Sequence, residues 1–179
     1  MSEEGVAPDV ASYTAVVDAC AKSGDVASAV RWLSTMEEAR VAPNVVSYNV
    51  IIDAFAKKGD VVEASAWLGK MLKAGVAPNE FTYSTLISGC ARRRDAEEAA
   101  SWLNEMVKVH LKPNEFSYSS VIDAHAKRGD TEGAGRWLEE MEEVHLVPGE
   151  VAYTAVIDSC AKREKPMEAA EWLKRMAAS

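Results

Sequence analysis

Four residue types recur in one register of 35 residues along this 179-residue chain, and that period limits the fold more than anything else in it. All five Tyr obey it (Tyr13, Tyr48, Tyr83, Tyr118, Tyr153), as do all five Trp (Trp32, Trp67, Trp102, Trp137, Trp172). Met36, Met71, Met106, Met141 and Met176 keep the same spacing, as do Pro8, Pro43, Pro78, Pro113 and Pro148. A period of this size marks an array of supersecondary units, each too small to bury its own apolar face. The repeats run 10–44, 45–79, 80–114, 115–149 and 150–179, with positions counted 1 to 35 in each and the fifth shorter than the rest. Residues 1–9 end in Gly5-Val6-Ala7-Pro8-Asp9, which mimics Gly75-Val76-Ala77-Pro78-Asn79 and reads as the tail of a preceding repeat. The chain is expected to be an excerpt of a longer array.

Each repeat carries two helical patterns. Tyr13, Val16, Val17 and Cys20 fall at i, i+3, i+4 and i+7, one apolar face of a first helix. Gly24-Asp25, Gly59-Asp60 and Gly129-Asp130 supply a terminating glycine and then an N-cap aspartate. Asp60 with Glu63, and Asp95 with Glu98, have capping-box spacing, and Pro166 takes the first-turn place in the last repeat. The second helix is expected to bury Ala29, Trp32, Leu33 and Met36 and their equivalents, before the position-34 proline stops it. No strand or hairpin signal interrupts this, so the predicted fold is an all-α solenoid of antiparallel helix pairs.

Hydrophobic residues at 48% and charged residues at 27% are globular proportions. With 20 Lys+Arg against 28 Asp+Glu the net charge is -8, which excludes a uniformly basic nucleic-acid binder while leaving room for a local stripe. No run of 18 apolar residues predicts membrane insertion. The opening MSEEGVAPD is acidic and unlike a signal or Arg-rich transit peptide.

Three columns suggest a binding face. Positions 2, 5, 9 and 12 share a first-helix stripe distinct from the tyrosine stripe. Position 2 is apolar throughout: Ala11, Val46, Phe81, Phe116, Val151. Position 5 is small, polar and uncharged: Thr14, Asn49, Ser84, Ser119, Thr154. Position 13 is basic: Lys22, Lys57, Arg92, Lys127, Lys162, with Lys58, Arg93, Arg128 and Arg163 following at position 14. An apolar platform, a hydrogen-bonding side chain and a cation per unit is what a base on a phosphate chain needs. Plainer roles remain open. Position 2 suits inter-repeat core, position 35 (Asp9, Asn44, Asn79, Asn114, Gly149) consists of N-cap types, and position 13 suits a helix C-terminus. Asp18, Asp53, Asp123 and Asp158 at position 9 would repel phosphates and are read as structural. Most other acids, such as Glu97, Glu98, Glu139 and Glu140, fall on second helices, on the opposite surface.

Catalysis has little to stand on. Cys20, Cys90 and Cys160 share position 11 in alternate repeats, too far apart for a disulfide or a zinc site. His110 and His145, after the second helix, are expected to be solvated. No Gly-rich phosphate loop and no deaminase signature occurs, so neither enzyme activity nor a cofactor is expected.

Tyr at 4, a basic residue at 13, Gly-Asp at 15–16, Ala at 20, Met at 27 and Pro at 34 together resemble the pentatricopeptide repeat, over residues 5–179. Residues Val46 to Asp60 (VSYNVIIDAFAKKGD) are especially close, and the unbroken period is similar to the P class of that family. The tetratricopeptide repeat differs in its period of 34 and its early tryptophan; tryptophan in the second helix is a packing variant. The resemblance implies a right-handed α-α superhelix that binds single-stranded RNA, not DNA, in mitochondria or chloroplasts. One base per repeat would be read by positions 5 and 35: Thr14/Asn44, Asn49/Asn79, Ser84/Asn114, Ser119/Gly149, and Thr154 alone. By the family's preferences the first three pairs read A, a pyrimidine with C favoured, and A; the fourth specifies nothing and Thr154 leans to purine. Position 2 would stack and position 13 would hold phosphate. A protein-interaction scaffold, such as a subunit of an organellar assembly, is the alternative, and protein partners are compatible with either reading.

Overall fold

Each turn between helices is built around one residue with positive φ. Gly24, Gly59 and Gly129 at position 15 lie at φ 85°, 76° and 82°. This left-handed conformation lets the position-16 amide reach back to the position-11 carbonyl, as in Asp25 N–H to Cys20 O (3.0 Å) and Asp130 N–H to His125 O (2.9 Å). The position-16 aspartates then start the next helix. Asp25, Asp60, Asp95 and Asp130 accept through Oδ1 from the backbone N–H groups of Ser28, Glu63, Glu98 and Gly133. The Gly133 amide, and then His125 at 2.8 Å, hold the Asp130 carboxyl below the usual carboxylate range. The capping box closes reciprocally at Asn44 and Ser47, rather than at the aspartates whose spacing suggested it.

A computed structural model describes residues 7–178, so most of the presumed tail of a preceding repeat, residues 1–6, lies outside the described residues. It is all-α: α1 Val10–Lys22, α2 Val26–Glu38, α3 Val45–Lys57, α4 Val61–Lys73, α5 Glu80–Arg92, α6 Ala96–Lys108, α7 Glu115–Arg128, α8 Thr131–Glu143, α9 Glu150–Lys162 and α10 Pro166–Ala178. Among the described residues there is no strand. The chain divides into two units, one ending at Thr82 and the other starting at Tyr83.

In the first unit α1 packs on α2 and α3, and α3 also packs on α2 and α4. In the second, α7 packs on α6, α8 and α9, and α9 packs on α8 and α10. Helices α2 and α8 therefore each rest on their own first helix and on the first helix of the next repeat. The seam is filled by the small-large set the period predicted. Ala29, Leu33 and Met36 are buried, as are Ala64, Leu68 and Met71, Ala99, Leu103 and Met106, and Ala134, Leu138 and Met141. On the first helices Tyr48, Ile51 and Ile52 are buried, and so are Tyr118, Val121 and Ile122. In α1, by contrast, Val17 is buried while Val16 is exposed.

Tryptophan meets the expectation of a core residue at one position only. Trp67 is buried, Trp102, Trp137 and Trp172 are half-buried, and Trp32 is 41% exposed. In the other repeats the indole keeps one side toward solvent. Buried or not, it tilts against the tyrosine of its own repeat, with ring centroids 6.5 Å apart for Tyr13–Trp32, 6.4 Å for Tyr48–Trp67 and 6.2 Å for Tyr118–Trp137. Lys70 Nζ lies 3.7 Å from the Trp67 ring centroid, closing its open side. The tyrosine hydroxyls keep polar partners: Tyr48 donates to Glu37 (3.2 Å) and Tyr118 to Glu140 (3.3 Å).

Two expected outcomes follow from these placements. Trp67→Ala should cost about 3–5 kcal/mol in urea unfolding, and Trp32→Ala less than half as much, because water already reaches the Trp32 ring. Arg94 (φ 59°) and Glu164 (φ 56°) occupy the position-15 turn without being glycine. Arg94→Gly and Glu164→Gly should each raise stability by about 1 kcal/mol in the same assay, since glycine adopts that conformation without steric cost.

Candidate nucleic-acid interface

Position 2 is one residue into the first helix, beyond the stripe the neighbouring helices cover. Val46 (53%), Phe81 (55%), Phe116 (56%) and Val151 (68%) are exposed, and Ala11 is exposed as well. This column is therefore not inter-repeat core. In the first unit Val46 and Phe81 line a groove of about 540 Å³ together with Asn49, Asp53 and Asn79, and Lys22 and Lys57 also line it. In the second unit Phe116 and Val151 line a groove of about 330 Å³ with Ser119 and Asp123, and Arg92 and Lys127 also line it. The two grooves draw on the same repeat positions: 2, 5, 9 and 13, with position 2 of the following repeat. Each combines apolar surface, uncharged hydrogen-bonding groups and cations.

The uncharged groups are more constrained than their column suggested. Asn49, Ser84 and Ser119 are buried, whereas Thr154 is exposed. The position-5 residues reach a hydroxyl at position 3 of the next repeat. Thr14 Oγ1 lies 2.7 Å from Ser47 Oγ, Thr82 Oγ1 donates to Asn49 Oδ1 at 2.7 Å, and Ser84 Oγ lies 2.8 Å from Ser117 Oγ. The position-35 residues do cap the first helices. Asn44 Oδ1 accepts from the Ser47 amide (3.1 Å), Asn79 Oδ1 from the Thr82 amide (3.1 Å) and Asn114 Oδ1 from the Ser117 amide (3.0 Å). Asp9 caps α1 in the same way, and the Ser12 hydroxyl and amide hold its carboxyl below the usual range. Gly149 caps α9 without a side chain. In the second repeat the two members meet directly, Asn49 Nδ2 donating to Asn79 Oδ1 at 3.2 Å.

The position-9 aspartates, expected to be structural, pair with the position-13 lysines one turn on. Lys22–Asp18, Lys57–Asp53 and Lys127–Asp123 are each 2.6 Å apart. Exposed i,i+4 pairs of this kind contribute about 0.3–0.5 kcal/mol, so each aspartate orients a lysine without locking it. Ser88 precedes Arg92 in this register, and Arg92 and Lys162 are exposed. Position 14 fastens neighbouring turns: Lys58 Nζ donates to Gly24 O at 2.9 Å, and Arg128 pairs with Glu97.

Two columns have structural roles that their residue types did not reveal. The first is position 3, Ser12, Ser47, Thr82 and Ser117 followed by Ala152, a run of hydroxyls whose register matches the tyrosines beside it. The second is position 31, where Arg40, Gly75, His110 and His145 all have positive φ. Gly75 was the one signal of that turn. His110 and His145 are exposed, as expected. Among the described residues no group of three or more His, Cys, Asp or Glu side chains is placed to hold a metal, and no helix is long and apolar enough to cross a membrane.

The PPR repeat family matches the chain at residues 8–57, 43–92, 85–127 and 116–162, and the PPR repeat matches residues 151–179. Among solved structures, 97% of the chain aligns with the pentatricopeptide repeat protein PPR10 from maize, at TM-score 0.85, 23% identity and 25% of that protein's chain. With PPR10 in complex with an 18-nt psaJ RNA element the values are 0.80, 30% identity, 98% of this chain and 25% of that one. The PPR domain of Arabidopsis thaliana protein-only RNase P 1, in complex with tRNA, aligns at TM-score 0.74 and 22% identity over 89% of this chain and 84% of that one. The chain thus spans about a quarter of the length of PPR10. No curated protein sequence gives a match. The fold is that of an all-α helical-repeat solenoid.

The cysteines offer a check on burial along the repeat. All three are free; Cys90 and Cys160 are buried and Cys20 is partly exposed. Burial, with Glu98 and Asp95 nearby, pushes the Cys90 thiol up to about 12, and burial also raises Cys160. Titration with a thiol reagent at pH 8 should label Cys20 first and should reach Cys90 at least tenfold more slowly, since the thiolate is the reacting form.

Proposed function

We propose that this chain, which belongs to the pentatricopeptide repeat family, binds single-stranded RNA in a sequence-specific way, one base per repeat. The observation that carries this reading is the recurrence of one groove from one set of repeat positions. Val46 with Phe81, and Phe116 with Val151, are exposed apolar pairs spaced by a repeat with polar groups and cations beside them. Unstacked bases need such surfaces, and the phosphates linking them need cations at the same period. PPR10 and the RNase P 1 domain were each solved with RNA, which supports an RNA ligand for this fold.

In this reading Thr14/Asn44 selects A, Asn49/Asn79 a pyrimidine with C favoured, and Ser84/Asn114 A. Ser119/Gly149 specifies nothing, and Thr154 leans to purine. Position 2 (Ala11, Val46, Phe81, Phe116, Val151) stacks the bases, and Lys22, Lys57, Arg92, Lys127 and Lys162 meet phosphates. The module binds rather than catalyses, and acts in RNA processing, stability or translation in a mitochondrion or chloroplast.

Replacing Lys22, Lys57, Lys127 and Lys162 with Ala should weaken binding alike for all RNA sequences and flatten its salt dependence. The aspartates left behind at positions 18, 53 and 123 add repulsion to that loss. Unchanged affinity and salt slope would remove the phosphate role. The sharper test is Ser84→Asn, which gives the third repeat the Asn/Asn pair of the second. In competition binding at fixed salt, preference at the third base should move from A toward C or U by about 1–3 kcal/mol while the other bases keep theirs. An unaltered preference would favour a protein ligand for these grooves.

A further inference from the structure

We propose that the buried hydroxyl at position 3 of the following repeat decides which hydrogen-bonding groups each base-reading pair presents, making Ser47, Thr82 and Ser117 positioning residues for base choice; this deepens, and rests on, the RNA-reading role of those pairs. Ser47, Thr82 and Ser117 are fully buried, so they act on a base through their neighbours. Each lies within hydrogen-bond distance of both members of one pair and has a single hydroxyl hydrogen to give. Ser47 lies between Thr14 and Asn44, Thr82 between Asn49 and Asn79, and Ser117 between Ser84 and Asn114.

The bookkeeping of hydrogens gives the bridge its consequence. A backbone N–H can only donate, so the cap that the Ser117 amide makes at 3.0 Å must use the Asn114 oxygen. The Asn114 amino group is therefore its remaining donor. Ser117 has one hydroxyl hydrogen, which it gives to Asn114 Oδ1 at 3.0 Å. Ser84, 2.8 Å from Ser117 Oγ, then donates its own hydrogen to Ser117 and is left with lone pairs. The pair presents an acceptor beside a donor, which complements the amino group and N1 of adenine.

Asparagine at position 5 reverses the bridge. The Asn49 oxygen cannot donate, so Thr82 gives its hydrogen to Asn49 Oδ1 at 2.7 Å. Asn49 Nδ2 in turn donates to Asn79 Oδ1 at 3.2 Å, which also receives the Thr82 amide at 3.1 Å. What this pair has left is the second Asn49 hydrogen, the Asn79 amino group and one lone pair of Asn49 Oδ1. The two donors suit N3 and O2 of cytosine, both acceptors, whereas the N3–H of uracil has only that single lone pair to meet. For the fourth pair, Ala152 of the fifth repeat supplies no hydroxyl and Gly149 no side-chain amide, so nothing orients the Ser119 hydroxyl in this way.

The test is competition binding of the whole chain with RNAs carrying each of the four bases at the third site, with thermal unfolding followed in parallel. Ser117→Ala should reduce discrimination for A at that site on the order of tenfold and leave the first two bases as they were. Ser117→Thr, which restores the hydroxyl in the form Thr82 already has, should keep the wild-type profile. A folded Ser117→Ala protein with unchanged preference overturns the proposal, as does an equal loss for all four bases. Should Ser117→Ala fail to fold, the fourth repeat decides the matter by gain. Gly149→Asn with Ala152→Ser should create a preference for A at the fourth base that Gly149→Asn alone lacks, and equal profiles for the two overturn the idea. A wild-type protein that discriminates no base removes the RNA-reading role itself, and the positioning role with it; the outcomes above presuppose wild-type discrimination and bear on position 3 alone.

Discussion

The first helix of each repeat is shared property, and the rest of the structure depends on that sharing. Helix α3 is covered by α1, α2 and α4, and α7 by α6, α8 and α9. The residues that fill these seams, such as Ile51, Ile52, Leu33 and Met36, complete their contacts across a repeat boundary. Stability in such a stack accumulates from nearest-neighbour interfaces rather than from one central core. The contrast between buried Ile51 and exposed Val16, at the same position of α3 and α1, shows how much of that interface the preceding helices supply.

The same sharing makes the grooves. Val46 lines one side and Phe81, from the next repeat, another. Neither is a core residue. The acidic excess of the chain is compatible with an anionic ligand here because the acids are dispersed. Asp18, Asp53 and Asp123 are matched by lysines one turn on, and Glu37 and Glu140 accept from tyrosine hydroxyls.

The legible part of this protein was whatever repeats as a residue type. The period, the helix pairs, the glycine turns, the aspartate caps and the candidate stripe all follow from columns of like residues. What escaped was direction and conformation. Ser47 reads as an ordinary first-turn serine, and nothing local announces a partner 33 residues away at Thr14. Arg94 and Glu164 hide a left-handed turn because the fold imposes it where the chain lacks glycine. Tryptophan misled for a different reason. A large apolar side chain in helical register suggests the core, as holds for Trp67, yet Trp32 stays largely in water with only one side against a tyrosine ring.

One feature of the caps bears on how such a chain can be cut and rejoined. Asn114 is the last residue of one repeat but caps the helix of the next, and its hydroxyl partner Ser117 stands three residues further on. A cassette drawn from 80 to 114 leaves Ser117 behind and splits the cluster, so a transplanted unit would inherit its host's hydroxyl. A cassette drawn from Tyr83 to Ser117 has the same length and carries Ser84, Asn114 and Ser117 together; Tyr48 to Thr82 does the same for Asn49, Asn79 and Thr82. The boundary between the two units of this chain falls at that joint, between Thr82 and Tyr83. The hydrogen-bonded cluster is therefore offset from the helical hairpin, and a graft that respects it moves an intact cluster instead of half of one.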